Sequence, residues 1–298
     1  MTTRTYASPV AHTATAGFRA WGSEFNTNLA ATGLVQTADT GQINWTTVAY
    51  NATINTVQGY EIWRLADSSL YFRIEYGTAL VATSPGIWLQ VGTGSDGAGI
   101  LTGQTSTRYN VAAPVAPIST VVSYTTYMCV TASALAVYWK AGSTQAGNAP
   151  QAIFMVGKTV DNTGAPTTDG YGVLTSGSVN AAAASNPSLQ SVRLASNPSP
   201  STYNASTYFS MVPGNVTSSL VETGTINQIY MWWLNVPDVQ PFLFGASYVR
   251  AELGNGNTFS VALVGMTPHT YLTVGVDYNN KGYANNTSAV YGGAMIWE

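Results

Sequence analysis

At 298 residues the chain has room for one large domain or two of ordinary size. Lys and Arg total 10, Asp and Glu total 13, and the net charge is −3. Charged residues are 8% of the chain, against roughly a quarter in an ordinary soluble domain. That balance excludes a basic footprint for nucleic acid, an acidic interaction tail and a charge-laced coiled coil. Disorder is excluded too, since 45% of the residues are hydrophobic and 11% aromatic.

The opening MTTRTYASPVAHTATAG carries no apolar run of signal-peptide length, so synthesis in a cytoplasm without classical export is expected. No run of about 18 apolar residues occurs anywhere, so no membrane insertion by a spanning helix is expected. In FRAWGSEFNTNLAATG, Phe18, Trp21, Phe25 and Leu29 recur at helical spacing and share one face. Gly33 supplies a C-terminal stop, and Gly22 stands against the helix.

From Gln42 onward the period becomes two. Strands are expected at 60–65 and 70–76, joined by a turn at Asp67, Ser68 and Ser69. Leu70, Phe72, Ile74 and Tyr76 share one face; Tyr71, Arg73 and Glu75 share the other. A third strand at 87–91 completes a meander. Glu61, Glu75 and Glu252 read as outward strand residues, with Arg64, Arg73 and Arg250 as neighbours.

Two prolines in AAPVAPI, residues 112–118, mark the expected linker. Beyond it, strands are expected at 121–130, 135–139, 153–160, 172–174, 191–194, 208–212, 228–236, 246–253, 258–264 and 270–278. The Ala/Ser/Asn/Pro-rich stretch 179–202 reads as an excursion from the sheets. The fold class is therefore mainly β: an antiparallel β-sandwich or jelly roll, preceded by a small helix-plus-β-meander region. The division is expected at 1–112, the helix-plus-β-meander domain, and 113–298, the β-sandwich. No fixed-period repeat is visible, which disfavours a propeller or solenoid.

The motifs that carry chemistry are weak. The single Cys129 excludes an intrachain disulfide and a cysteine zinc cluster. His12 and His269 cannot by themselves build a histidine metal centre. Gly92, Gly94 and Gly97 have dinucleotide-loop spacing, but AGILTG follows in place of a helix, and no acid occurs between Asp96 and Asp161. A hairpin loop is expected there. Asp277, Asn279 and Gly282 echo a calcium loop, but Lys281 and Ser288 stand where oxygen ligands belong. DNTGAPTTDG, residues 161–170, reads as a turn between strands, with a weak calcium site on its two carboxylates as the alternative. Neither G-x-S-x-G nor H-E-x-x-H occurs. No catalytic residue, cofactor or metal site is expected. The glycosylation triplets at Asn44, Asn51, Asn204, Asn215 and Asn286 accompany no export signal and are discounted.

Trp232 and Trp233 are adjacent in an expected strand, so one indole must leave the core face occupied by the other. Together with Tyr230 and Tyr248 they are the candidates for contact with another subunit or a sugar ring.

The stretch FRAWGSEFNTNLAATGLVQTADTGQINWTTV, then GYEIWRLADSSLYFRIEYG, then PGIWLQVGTGSDGAG, resembles a segment of virion structural proteins of tailed bacteriophages. The resemblance covers residues 18–99 and consists of packing residues, not catalytic ones. It implies a non-enzymatic component of a virion (tail, baseplate, fibre or capsid decoration), with residues 1–112 as the candidate for attachment to the particle. Its partners would be copies of itself, as a homo-oligomer, and other virion proteins. A host-attachment module binding a surface glycan is the first alternative, and a polysaccharide depolymerase the second. An outer-membrane barrel ranks last, for want of an export signal and a terminal aromatic residue.

Overall fold

The structure, a computed structural model, describes residues 1–8, 14–78, 85–106, 108–111, 124–141, 152–160, 166–175, 191–194, 226–230, 242–250, 258–261, 269–274 and 291–297. They form mainly antiparallel β-structure with one helix.

After strand β1 (Thr2–Ser8) comes helix α1 (Thr15–Ala31). Phe18, Trp21, Phe25 and Leu29 are all buried, as their spacing predicts. Each contributes about 2 kcal/mol by leaving water. The helix ends as expected. Thr32 N–H donates to the Asn28 and Leu29 carbonyls and Gly33 N–H to Ala30, with Gly33 at φ +88°.

The meander follows. Strands β2 (Val35–Gln36), β3 (Thr56–Arg64), β4 (Tyr71–Thr78), β5 (Pro85–Gly92) and β8 (Tyr109–Val111) form one antiparallel sheet in the order β2-β3-β4-β5-β8. Between β5 and β8, the short pair β6 (Gly94–Ser95) and β7 (Leu101–Thr102) makes the expected glycine-rich hairpin. The β3–β4 turn is closed by Asp67 Oδ1, which accepts from the Ser69 amide (3.0 Å) and hydroxyl (2.6 Å).

The larger sheet has 11 strands: β1, β9 (Tyr124–Val130), β10 (Ala134–Ala141), β11 (Ala152–Val160), β12 (Pro166–Thr175), β13 (Ser191–Leu194), β14 (Ile226–Tyr230), β15 (Phe242–Arg250), β16 (Thr258–Val261), β17 (His269–Val274) and β18 (Tyr291–Ile296). Within the stretch 179–202, β13 is the strand expected at 191–194 and pairs with β12. β1 pairs with β9 along its whole length, from Thr2 opposite Val130 to Ser8 opposite Tyr124. Hydrogen bonding therefore crosses residue 112. The core crosses it as well, because Phe25 of α1 meets Trp139 of β10 at 5.4 Å and Tyr76 of β4 at 6.4 Å. Expected elements at 112–118 and 208–212 lie outside the described residues.

One ion pair joins the two sheets at their rim. Lys158 Nζ on β11 donates to Asp67 Oδ2 at 2.6 Å. Burial opposes ionisation of Asp67, but the bonds from Lys158 and Ser69 and the lysine charge outweigh it and lower its pKa to about 2. Because Asp67 is 52% exposed, Lys158→Met is expected to cost no more than about 1 kcal/mol at neutral pH. The folded carboxyl holds its proton less tightly than the unfolded one. That stabilisation is therefore present above the ordinary value of 3.8 and disappears as pH falls toward 2. Urea unfolding of both proteins at neutral pH and near pH 2 checks this; a cost that persists in acid would refute it.

Candidate functional site

The N-terminal sheet directs Phe72, Ile74 and Tyr76 into the core and Tyr71, Arg73 and Glu75 outward, as the alternation predicts. The outer face is covered by two loops, residues 37–42 and 96–100, which are tied to each other. Asp39 is the tie. Its Oδ1 accepts from the Gly99 amide at 3.0 Å and from the Ser95 hydroxyl. Burial raises the pKa of Asp39, but the bonds from Ser95, Thr37 and the amides of Gly99 and Gly97 outweigh this and hold it below the usual carboxylate value. Thr40 N–H adds a bond to the Gly97 carbonyl (3.0 Å), and Gln42 Nε2 donates to the carbonyls of Thr37 (2.7 Å) and Asp39 (3.2 Å). Gly99, at φ +98°, must be glycine, because a Cβ there would sit 2.1 Å from the Tyr60 hydroxyl.

Beneath these loops, Arg73 stacks over the Tyr60 ring (4.0 Å to the centroid) and donates to the Gly99 carbonyl. Glu75 accepts from Arg73 Nε at 3.0 Å and from Arg108 Nε, and Arg108 lies 4.3 Å over the Trp88 ring. Beside this cluster is an open cleft of about 430 Å³, lined by Gln36, Thr37, Ala38, Asp39, Arg64, Tyr71, Ser95 and Gly97. Arg64 and Tyr71 are opposite partners across β3 and β4 and form its floor.

On the inner face the structure corrects one expectation. Glu61 is not outward; it is fully buried. Its Oε1 accepts from Asn26 Nδ2 (2.7 Å) and Trp45 Nε1 (2.7 Å); its Oε2 accepts from Trp63 Nε1 (3.0 Å) and the Tyr76 hydroxyl (2.6 Å). Four neutral donors from α1, the 37–50 loop, β3 and β4 thus converge on one carboxylate with no cation among them. Burial raises its pKa, and the donors only partly counter that. The same burial, with the Glu61 charge, pushes the Tyr76 phenol well up.

Of the aromatic candidates, Trp232 and Trp233 lie outside the described residues. Tyr230 ends β14, opposite Phe242 of β15, and Tyr248 of β15 is opposite Asn227. The register therefore does not set the two tyrosines against each other. His12, Glu252, residues 161–165 and the Asp277–Asn279–Gly282 echo also lie outside the described residues, while His269 begins β17. Cys129 is buried, with its sulfur 3.7 Å from the Trp297 carbonyl. Asn44 and Asn51 use their side-chain oxygens as local turn acceptors, each 2.9 Å from the amide two residues on. Among the described residues, no three His, Cys, Asp or Glu side chains gather as metal ligands, and no helix is long and apolar enough to cross a membrane.

No protein-family model matches the chain, and no curated protein matches it.

Proposed function

We propose that the chain is a non-enzymatic structural component of a phage virion, acting through contacts with its own copies and with other virion proteins. Its two sheets, sharing one core, are read as a β-sandwich. One observation supports this most. The residues that mark the resemblance are those that lock the N-terminal module. Trp21 and Phe25 of FRAWGSEF fill the core, and Trp45 of QINW and Glu61 and Trp63 of GYEIWR meet in the buried network. Asp39 of TADTG and Gly97 and Gly99 of the GTGSDGAG hairpin tie the outer loops. A segment whose marked residues are spent on rigidity is suited to holding a shape against neighbours. Its acids are spent in the same way, since Glu61, Glu75 and Asp39 are each engaged within the fold.

Purified particles labelled with an antibody against the chain, viewed by electron microscopy, test the proposal. Label at one fixed position on every particle is expected, together with concentration-dependent association of the full chain in sedimentation. Absence from purified particles would overturn it.

A further inference from the structure

We infer that the cleft floored by Arg64 and Tyr71 is a binding site for a neutral sugar ring. This rests on the cleft and not on the chain's place in a particle. Asp39 in the cleft wall, and Glu61, Glu75, Gln42 and Arg73 outside the cleft, have protein partners. Within the lining of the cleft, hydrogen-bonding capacity is left over at Tyr71 and Arg64. The Tyr71 hydroxyl has no partner among the described residues. Arg64 spends only Nη1, on the Leu65 and Ala66 carbonyls (3.2 Å each) and Ser68 Oγ (2.8 Å).

The charges select the class of ligand. Asp39, held ionised by its donors, forms one wall and repels anions; the Arg64 guanidinium on the floor repels cations. What remains is an uncharged molecule with many hydroxyls and one apolar face, able to lie on the half-buried Tyr71 ring while its hydroxyls meet Arg64 and Gln36. About 430 Å³ lies within the range of small-molecule sites, roughly 300–1,000 Å³. The walls are already fixed by the Asp39 and Gln42 bonds, so little ordering is needed on binding.

Saturation-transfer NMR on the full chain tests this, with methyl α-glucopyranoside, methyl β-galactopyranoside, N-acetylglucosamine and rhamnose as probes and N-acetylneuraminic acid as the anionic comparison. At least one neutral sugar is expected to receive saturation on its ring protons. Tyr71→Ala is expected to weaken that sugar about tenfold and Tyr71→Phe much less, since the ring is retained. Unchanged thermal unfolding shows that both variants are folded; if Tyr71→Ala is not, Arg64→Lys supplies the comparison. The inference is overturned if no neutral sugar responds, if only the anionic sugar does, or if binding is indifferent to Tyr71 and Arg64.

Discussion

Replacing Glu61 by alanine is expected to remove about 3–5 kcal/mol of stability, a large part of the roughly 5–15 kcal/mol that holds a domain folded. The loss comes from the donors left behind. Trp63 Nε1 and the Tyr76 hydroxyl are buried with Glu61 Oε2 as their acceptor, and each orphaned donor costs about 1–3 kcal/mol. Asn26 and Trp45 are partly exposed and can turn to water, so they add less. Glu61→Gln separates charge from connectivity. Its amide oxygen can keep Asn26 and Trp45, but its nitrogen would face the Trp63 N–H, and a smaller loss of about 1–2 kcal/mol is expected. The pH dependence then identifies the carboxylate. The folded pKa is raised above its ordinary 4.5, so the native state holds more protons than the unfolded chain between those two values. This contribution is complete below 4.5 and fades as pH rises through the folded value. The advantage of the native protein over Glu61→Gln should therefore shrink with rising pH, opposite in sign to the contributions of Asp39 and Asp67. Urea unfolding across the acid-to-neutral range measures it. A gap that widens with pH would mean that Glu61 is not buried as described.

The sequence already held the parity that places Glu61. Trp63 lies two residues further along β3 and Leu65 directly follows the strand's end, and both are buried, so period two alone puts Glu61 on the face of Trp63. Its charge argued for the outside, and no local pattern shows that Asn26, Trp45 and Tyr76 converge there from other elements. The outer face was easier, because Tyr71, Arg73 and Glu75 declare it by alternation. Arg108 as the second partner of Glu75 was not legible, since 33 residues separate them and nothing local links the two. Strands β1 and β18 were missed for different reasons. TTRTYAS has little hydrophobic alternation, and its place in the sheet comes from pairing with β9. YGGAMI carries Gly292 and Gly293, which weaken any strand signal. Yet Gly293 pairs with Tyr248 on one side and Val274 on the other, within the sheet. No local pattern marks Asp39 in TADTG. Its tie to Ser95 and Gly99 depends on loop contacts about sixty residues apart.

Gly22→Ala should destabilise the protein by about 2–4 kcal/mol, although helix propensity alone favours alanine by about 1 kcal/mol. Gly22 lies buried in the middle of α1, the residue that weakens the helical reading of the sequence. Its role is steric. A Cβ there would stand 2.0 Å from Trp45 Cη2 and 2.1 Å from Cζ3, so the indole lies directly on the helix backbone. The ring is confined on its other sides by Phe18 at 5.4 Å and Tyr76 at 4.8 Å, both edge-on. It cannot retreat without losing the Nε1 bond to Glu61 at 2.7 Å. One methyl group thus expels a ring and leaves Glu61 Oε1 with Asn26 as its remaining donor. A double-mutant cycle separates the two influences. In a Trp45→Ala background the space is vacant, and Gly22→Ala should become neutral or stabilising by up to about 1 kcal/mol. Urea denaturation of the four proteins gives the coupling. If Gly22→Ala instead stabilises the native sequence, the indole does not rest on the helix and the Glu61 network lacks one of its four donors.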